Sequence, residues 1–132
     1  MPRLPVLEVE VIGAAPADAP ALAEVERLLA FALASAGIEE GHVAVEYVDA
    51  QRISKLNSEH RGKAGPTDVL SFPIDADDDV GGPRELGDII ICPEHTHDLS
   101  EAIVHGALHL VGMDHETDQG QMLALQAEIL SW

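Results

Sequence analysis

The stretch His105-Gly-Ala-Leu-His-Leu-Val-Gly-Met-Asp-His115 constrains this chain more than any other. Its histidines stand at i, i+4 and i+10, with Gly112 between the second and the third. Residues four apart share one face of an α-helix, so His105 and His109 present two imidazoles to one point. Position i+10 lies almost three turns further along a straight helix, so a third ligand can return only if the helix ends first. Gly112 supplies that end: glycine enters the left-handed conformation at little steric cost, and the turn that follows swings His115 back. Three neutral imidazoles with an open fourth position describe a catalytic zinc centre, whereas structural zinc sites are closed by four ligands, mostly cysteines. The spacing therefore predicts one divalent ion per chain, zinc before any other, on His105, His109 and His115.

The same spacing is that of the metzincin protease pattern H-E-x-x-H-x-x-G-x-x-H, with one departure, because the glutamate that serves there as general base is Gly106 here. A peptidase thus lacks its proton acceptor, and Glu116 lies beyond the turn, where no spacing rule sets it over the metal. A zinc nucleobase deaminase needs His-x-Glu with Pro-Cys-x-x-Cys, and the chain has a single cysteine, Cys92. Phosphodiester cleavage fits what remains. The segment Arg61-Gly-Lys-Ala-Gly-Pro-Thr-Asp-Val-Leu-Ser-Phe-Pro73 reads as a loop leading into a strand. It offers basic side chains, backbone amides and hydroxyls such as that of Ser71 to an anion. Guanidinium pairs with phosphate through parallel hydrogen bonds, so Arg61 is the candidate to hold a non-bridging oxygen, with Lys63 beside it.

Composition bears on partners. A net charge of -17, from 24 acidic against 7 basic residues, argues against binding nucleic acid through a broad basic surface. Arg52, Lys55, Arg61 and Lys63 nevertheless fall within a dozen positions; they read first as a solvated helix face, with a local positive patch as the alternative. The lone cysteine excludes an internal disulfide and suits a reducing cytoplasm. No stretch approaches the roughly 18 apolar residues of a membrane span, and Met-Pro-Arg-Leu-Pro lacks a signal peptide's apolar core. A soluble cytoplasmic protein without membrane partners is expected.

Periodicity predicts strands at Val6–Ile12, His42–Val48, Val69–Ile74 and Leu86–Cys92. Helices are expected over Ala21–Ala36, stopped at Gly37; from an Asp49 cap to about Glu59; from a Ser100 cap through the two ligands; and from a Thr117 cap along Met122, Leu125, Ile129 and Leu130. Asp75–Pro83 has no glycine at the sixth position of a calcium loop and no glutamate at the twelfth, so it reads as a solvated acidic hairpin loop. His42 and His60 are expected at the surface, and His95 and His97 lack a third ligand. The result is a single α+β domain over residues 1–132, a small mixed sheet of about four strands packed with about four helices.

Together with Leu56-Asn57, Arg61-Gly-Lys63, Pro66-Thr-Asp-Val-Leu-Ser-Phe-Pro73 and Leu86-Gly-Asp-Ile-Ile-Ile-Cys-Pro93, the histidine stretch resembles the bacterial YbeY family of metal-dependent endoribonucleases and rRNA maturation factors. The resemblance implies a zinc-type site on the three histidines, and cleavage of single-stranded RNA in 16S rRNA 3′-end maturation and ribosome quality control. It also implies a small-subunit partner and no role for DNA. Arg61 takes the place of the family's catalytic arginine in an RNA-facing cleft, and Asp114 that of a residue orienting a ligand. The chain departs from the family pattern at His60 and Met113, where tyrosines are expected, and in the short run between Cys92 and His105, which predicts a cleft lacking one lining helix. A ribosome-associated assembly factor that binds metal and RNA without cutting is the alternative, and a metalloprotease-like hydrolase a distant third.

Overall fold

The strand nearest the N-terminus is shaped by alternation: Leu7, Val9 and Val11 turn inward while Glu8 and Glu10 stay in solvent, which is the period of a half-buried strand. The computed structural model describes residues 7–74 and 85–132. In chain order they form β1 (Leu7–Ile12), α1 (Leu22–Ala34), β2 (Gly41–Tyr47), α2 (Ala50–Arg61), β3 (Val69–Pro73), β4 (Glu85–Ile91), a single 3-10 turn (Pro93–His95), α3 (Leu99–Leu110) and α4 (Gln121–Ser131). The sheet order is β1-β2-β4-β3, parallel across β1, β2 and β4, with β3 antiparallel to β4. This is the mixed four-stranded α+β arrangement that the pattern predicts. The acidic loop at Asp75–Pro83 lies outside the described residues.

The run Ile89-Ile-Ile-Cys92 is apolar without alternation because β4 is central and covered on both faces. Ile89 and Ile91 join the core formed by α1, α3 and α4, while Ile90 and Cys92 join Ile53 and Leu70 under α2. Leu28, Leu29 and Leu33 of α1 are fully buried in the larger core, each contributing about 1.5–3 kcal/mol relative to exposure. Among the described residues, no helix is long and apolar enough to cross a membrane.

The element ends differ from expectation where two cap-forming residues compete. α3 is capped by Asp98, whose carboxylate accepts the Glu101 N–H at 3.1 Å, and not by Ser100. The spacing Asp98-x-x-Glu101 is that of a capping box, which fixes the start ahead of the serine. α4 begins at Gln121 instead of after Thr117, because Asp118 accepts the N–H groups of Gly120 and Met122, both at 2.8 Å, and holds the intervening residues in a turn. Asp49 caps α2 as expected, accepting the Arg52 N–H at 2.8 Å. That helix continues through Arg61, so the arginine stands on a helical last turn and not in the loop. Between Cys92 and α3 the chain makes only the 3-10 turn and a short link, with no further helix.

Candidate metal centre and adjoining cleft

His105 and His109 lie one turn apart on α3 with their Nε2 atoms 3.1 Å apart. Beyond them the helix ends in a paired-bond turn: the Gly112 N–H donates to the His109 carbonyl at 3.0 Å and the Met113 N–H to the Leu108 carbonyl at 3.0 Å. This is the Schellman arrangement, and it requires the left-handed conformation that Gly112 adopts (φ 96). The turn brings His115 back, so that one ligand atom from each of the three histidines lies within 4.8 Å of the others.

Two rings are fixed through their far nitrogens. His105 Nδ1–H donates to Gln126 Oε1 at 2.8 Å and His109 Nδ1–H to the Met113 carbonyl at 2.9 Å. Because both partners are acceptor oxygens, Nδ1 carries the proton and Nε2 keeps its lone pair. Burial, and then the repulsion of a second positive charge so close to His105, push the His109 pKa below the usual histidine range, which favours the neutral ring that a cation needs. The donor set fits a divalent ion. Two lone pairs facing each other at 3.1 Å repel, and that separation is close to the roughly 3.3 Å between neighbouring nitrogens of a tetrahedral zinc with bonds near 2.0–2.1 Å.

Gly106 explains why the protease glutamate is missing. It sits where α3 presses on the sheet, and a Cβ there would lie 2.6 Å from Ile89 Cγ2 and 3.0 Å from Val69 Cγ2. Its carbonyl also accepts the Ser71 hydroxyl at 2.6 Å, which ties α3 to β3. No side chain fits at this position, least of all a glutamate directed at the metal.

A cleft of ≈ 710 Å³ runs from the histidines along β3 to the end of α2, and Arg61, Lys63, Ser71, His105, His109 and His115 all line it. Asp68, Asp114 and Glu116 line it too, so positive and negative charge are mixed. The four clustered basic residues divide. Arg52 and Lys55 are not among the lining residues, and Lys55 sits 4.0 Å from Glu59 on the exposed side of α2. His60 is exposed, packs edge-on against Phe72 with centroids 4.8 Å apart, and faces the cleft without joining the ligand group. His42 is not free at the surface: its ring bridges Glu85 at 2.9 Å and Glu10 at 3.2 Å across the sheet. His95 and His97 stay apart from the histidine cluster. Asp114 accepts the Glu116 N–H at 2.9 Å, so it braces the turn that carries His115.

Two polar residues escape a reading by spacing. Gln126 lies between Met122 and Ile129 on the buried face of α4, and a carboxamide at a core position of an amphipathic helix is the signal that marks it. Asn57 is 4% exposed and donates to the Gly65 carbonyl at 3.0 Å, anchoring the loop that carries Lys63.

The family model described as Endoribonuclease YbeY matches residues 15–132. The protein named Endoribonuclease YbeY in Macrococcus caseolyticus is 41% identical over 133 residues, covering 86% of this chain and 86% of that one. Its namesake in Bacillus licheniformis is 41% identical over 132 residues, covering 83% and 84%. The solution structure of a Thermotoga maritima protein superposes with a TM-score of 0.54 at 27% identity, covering 93% of this chain and 87% of that one.

Proposed function

This chain belongs to the YbeY family of endoribonucleases, and on that premise we propose that it is a zinc-dependent endoribonuclease. It cuts single-stranded RNA, and it acts in the cytoplasm in 16S rRNA 3′-end maturation and ribosome quality control. The observation that carries this reading is that the histidine cluster shares one cleft with Arg61 and Lys63. When bound, a divalent ion lowers the pKa of a coordinated water and stabilises charge on a phosphoryl oxygen. The chain's own residues supply the rest. Gln126 and the Met113 carbonyl hold two rings in the ligating tautomer. Arg61 pairs with a non-bridging phosphate oxygen, and Lys63 draws in the backbone as a point charge. Ser71 has its proton committed to Gly106, and its remaining lone pairs accept from a ribose hydroxyl.

With a net charge of -17, attraction to RNA is confined to the cleft, so docking on the small subunit brings substrate and enzyme together. A factor that binds without cutting is not favoured, since the ligands and Arg61 line the same cavity. A peptidase has no base at Gly106 and no room for one.

The test is cleavage of an end-labelled unstructured RNA by the zinc-loaded protein, with zinc content measured for each sample. Chelation and His109→Ala should abolish both metal and cutting. Arg61→Ala should keep the metal and lose cutting about 100-fold, the scale of one charge-stabilising contact. Undiminished cleavage by metal-free protein would overturn the reading, and zinc loss in the arginine variant would reassign Arg61 to shaping the site.

A further inference from the structure

β3 is an edge strand, with β4 on one side and no strand on the other among the described residues. The Cys92 N–H donates to the Asp68 carbonyl at 2.9 Å, and the Ile74 N–H to the Leu86 carbonyl at 3.2 Å. Bonded and non-bonded residues alternate along an antiparallel ladder, so Asp68, Leu70, Phe72 and Ile74 face β4. Val69, Ser71 and Pro73 turn their main-chain groups to the free edge. That edge borders the metal cleft, and the Ser71 bond to Gly106 holds it one residue from the first ligand.

The outward amides are not equivalent. Pro73 has no N–H, and the Val69 N–H is taken by Asp68 Oδ1 at 2.8 Å. Among the described residues, what stays available is the Ser71 N–H beside the Val69 carbonyl, with the Ser71 and Pro73 carbonyls beyond. A peptide adding to a sheet edge needs donors and acceptors alternating along its run; two of three donors are missing here. A nucleobase needs only one adjacent acceptor and donor, which match the amino group and ring nitrogen of adenine or cytosine, or the imide and carbonyl of uracil. The Asp68 carboxylate at the head of β3 repels phosphate from this wall, leaving Arg61 and Lys63 for the backbone.

We propose that the free edge of β3, through the Val69 carbonyl and the Ser71 N–H, binds the Watson–Crick edge of an unpaired nucleobase beside the metal centre. This rests on the RNA reading above and gives single-strand preference a cause, because a paired base has those atoms engaged already.

The experiment measures binding of zinc-loaded protein to fluorescent, nuclease-resistant 2′-O-methyl phosphorothioate octamers by anisotropy. One octamer carries uracil and the other N3-methyluracil, which blocks the imide without altering charge. Methylation should weaken binding to the wild-type protein about tenfold, the order expected of a bidentate base contact. Ser71→Pro removes the N–H at a position where an edge strand tolerates proline, and it should bind the two octamers alike. Equal affinity of the wild type for both octamers overturns the proposal whatever the variant does. Displacement of the octamer by a strand-forming Val-Thr peptide overturns it in favour of peptide addition. If RNA is cut yet methylation has no effect, this inference alone fails; if no RNA binds or is cut, the function proposed above falls first.

Discussion

Replacing Gly106 by alanine sets two known effects against each other. In an exposed helix the change stabilises by about 1 kcal/mol, because glycine is the poorer helix former. Here the added Cβ would stand 2.6 Å from Ile89 Cγ2 and 3.0 Å from Val69 Cγ2, where carbon atoms at optimal contact keep about 3.5–4.0 Å. Ile89 is completely buried and β-branched, so its methyl cannot swing aside. α3 must therefore retreat by roughly 1 Å or Ile89 must leave its rotamer. Overpacking of this kind costs about 1–3 kcal/mol, and stretching the Ser71 bond to the Gly106 carbonyl adds up to about 1 kcal/mol. Set against the propensity gain, Gly106→Ala should destabilise by about 1.5 kcal/mol, within bounds of about 0 and 3 kcal/mol. Urea unfolding of chelated protein measures it without the metal's own contribution to stability. Ile89→Leu removes the offending Cγ2, so the alanine should cost less in that background than in the wild type. An alanine variant more stable than the wild type, or an equal cost in both backgrounds, would refute the steric argument.

The ring of His42 stands between two carboxylates, and its pKa is raised, chiefly by the hydrogen bond that its ring N–H donates to Glu85, against an opposing effect of burial, and further by Glu10. A raised folded-state pKa means that this contribution to stability is full below the unfolded value of about 6.5 and is lost as pH climbs through the folded one. Thermal melts should therefore show His42→Gln closing on the wild type with rising pH between about 5.5 and 8.5; a gap that stays constant or widens would remove the bridge from the account. Gln126→Leu should weaken zinc binding about 10–100-fold in competition with a fluorescent chelator, while Gln126→Glu keeps the acceptor and stays near wild type. Equal affinity of the leucine variant would mean that His105 needs no partner.

Much of the architecture was legible because it is written in side-chain period: alternation in β1, helical spacing of Val25, Leu28, Leu29 and Ala32, and the doubly apolar β4. The gathering of the three histidines was legible too, since i, i+4 and a helix-ending glycine are local rules. Helix starts were less so. Ser100 and Thr117 are good caps that lose to Asp98, whose carboxylate accepts the Glu101 N–H, and to Asp118, which accepts from Gly120 and Met122. Contacts between elements far apart in the chain had no local signature at all. Gln126 meets His105 across 21 positions, His42 meets Glu85 across 43, and Ser71 meets Gly106 across 35. The reason for glycine at 106 belongs to that group, because it depends on where Ile89 and Val69 come to rest.

The turn after α3 assigns the three histidines unequal work. His109 donates through Nδ1 to the Met113 carbonyl, so the second histidine clips shut the very bend that delivers the third. Preorganisation of His115 is thus partly a property of His109, and the three histidines cannot be exchanged for one another at equal loss. At position 113 the clip uses main chain alone. Whichever side chain stands there leaves the bend intact, and a methionine can replace a tyrosine without disturbing the placement of His115.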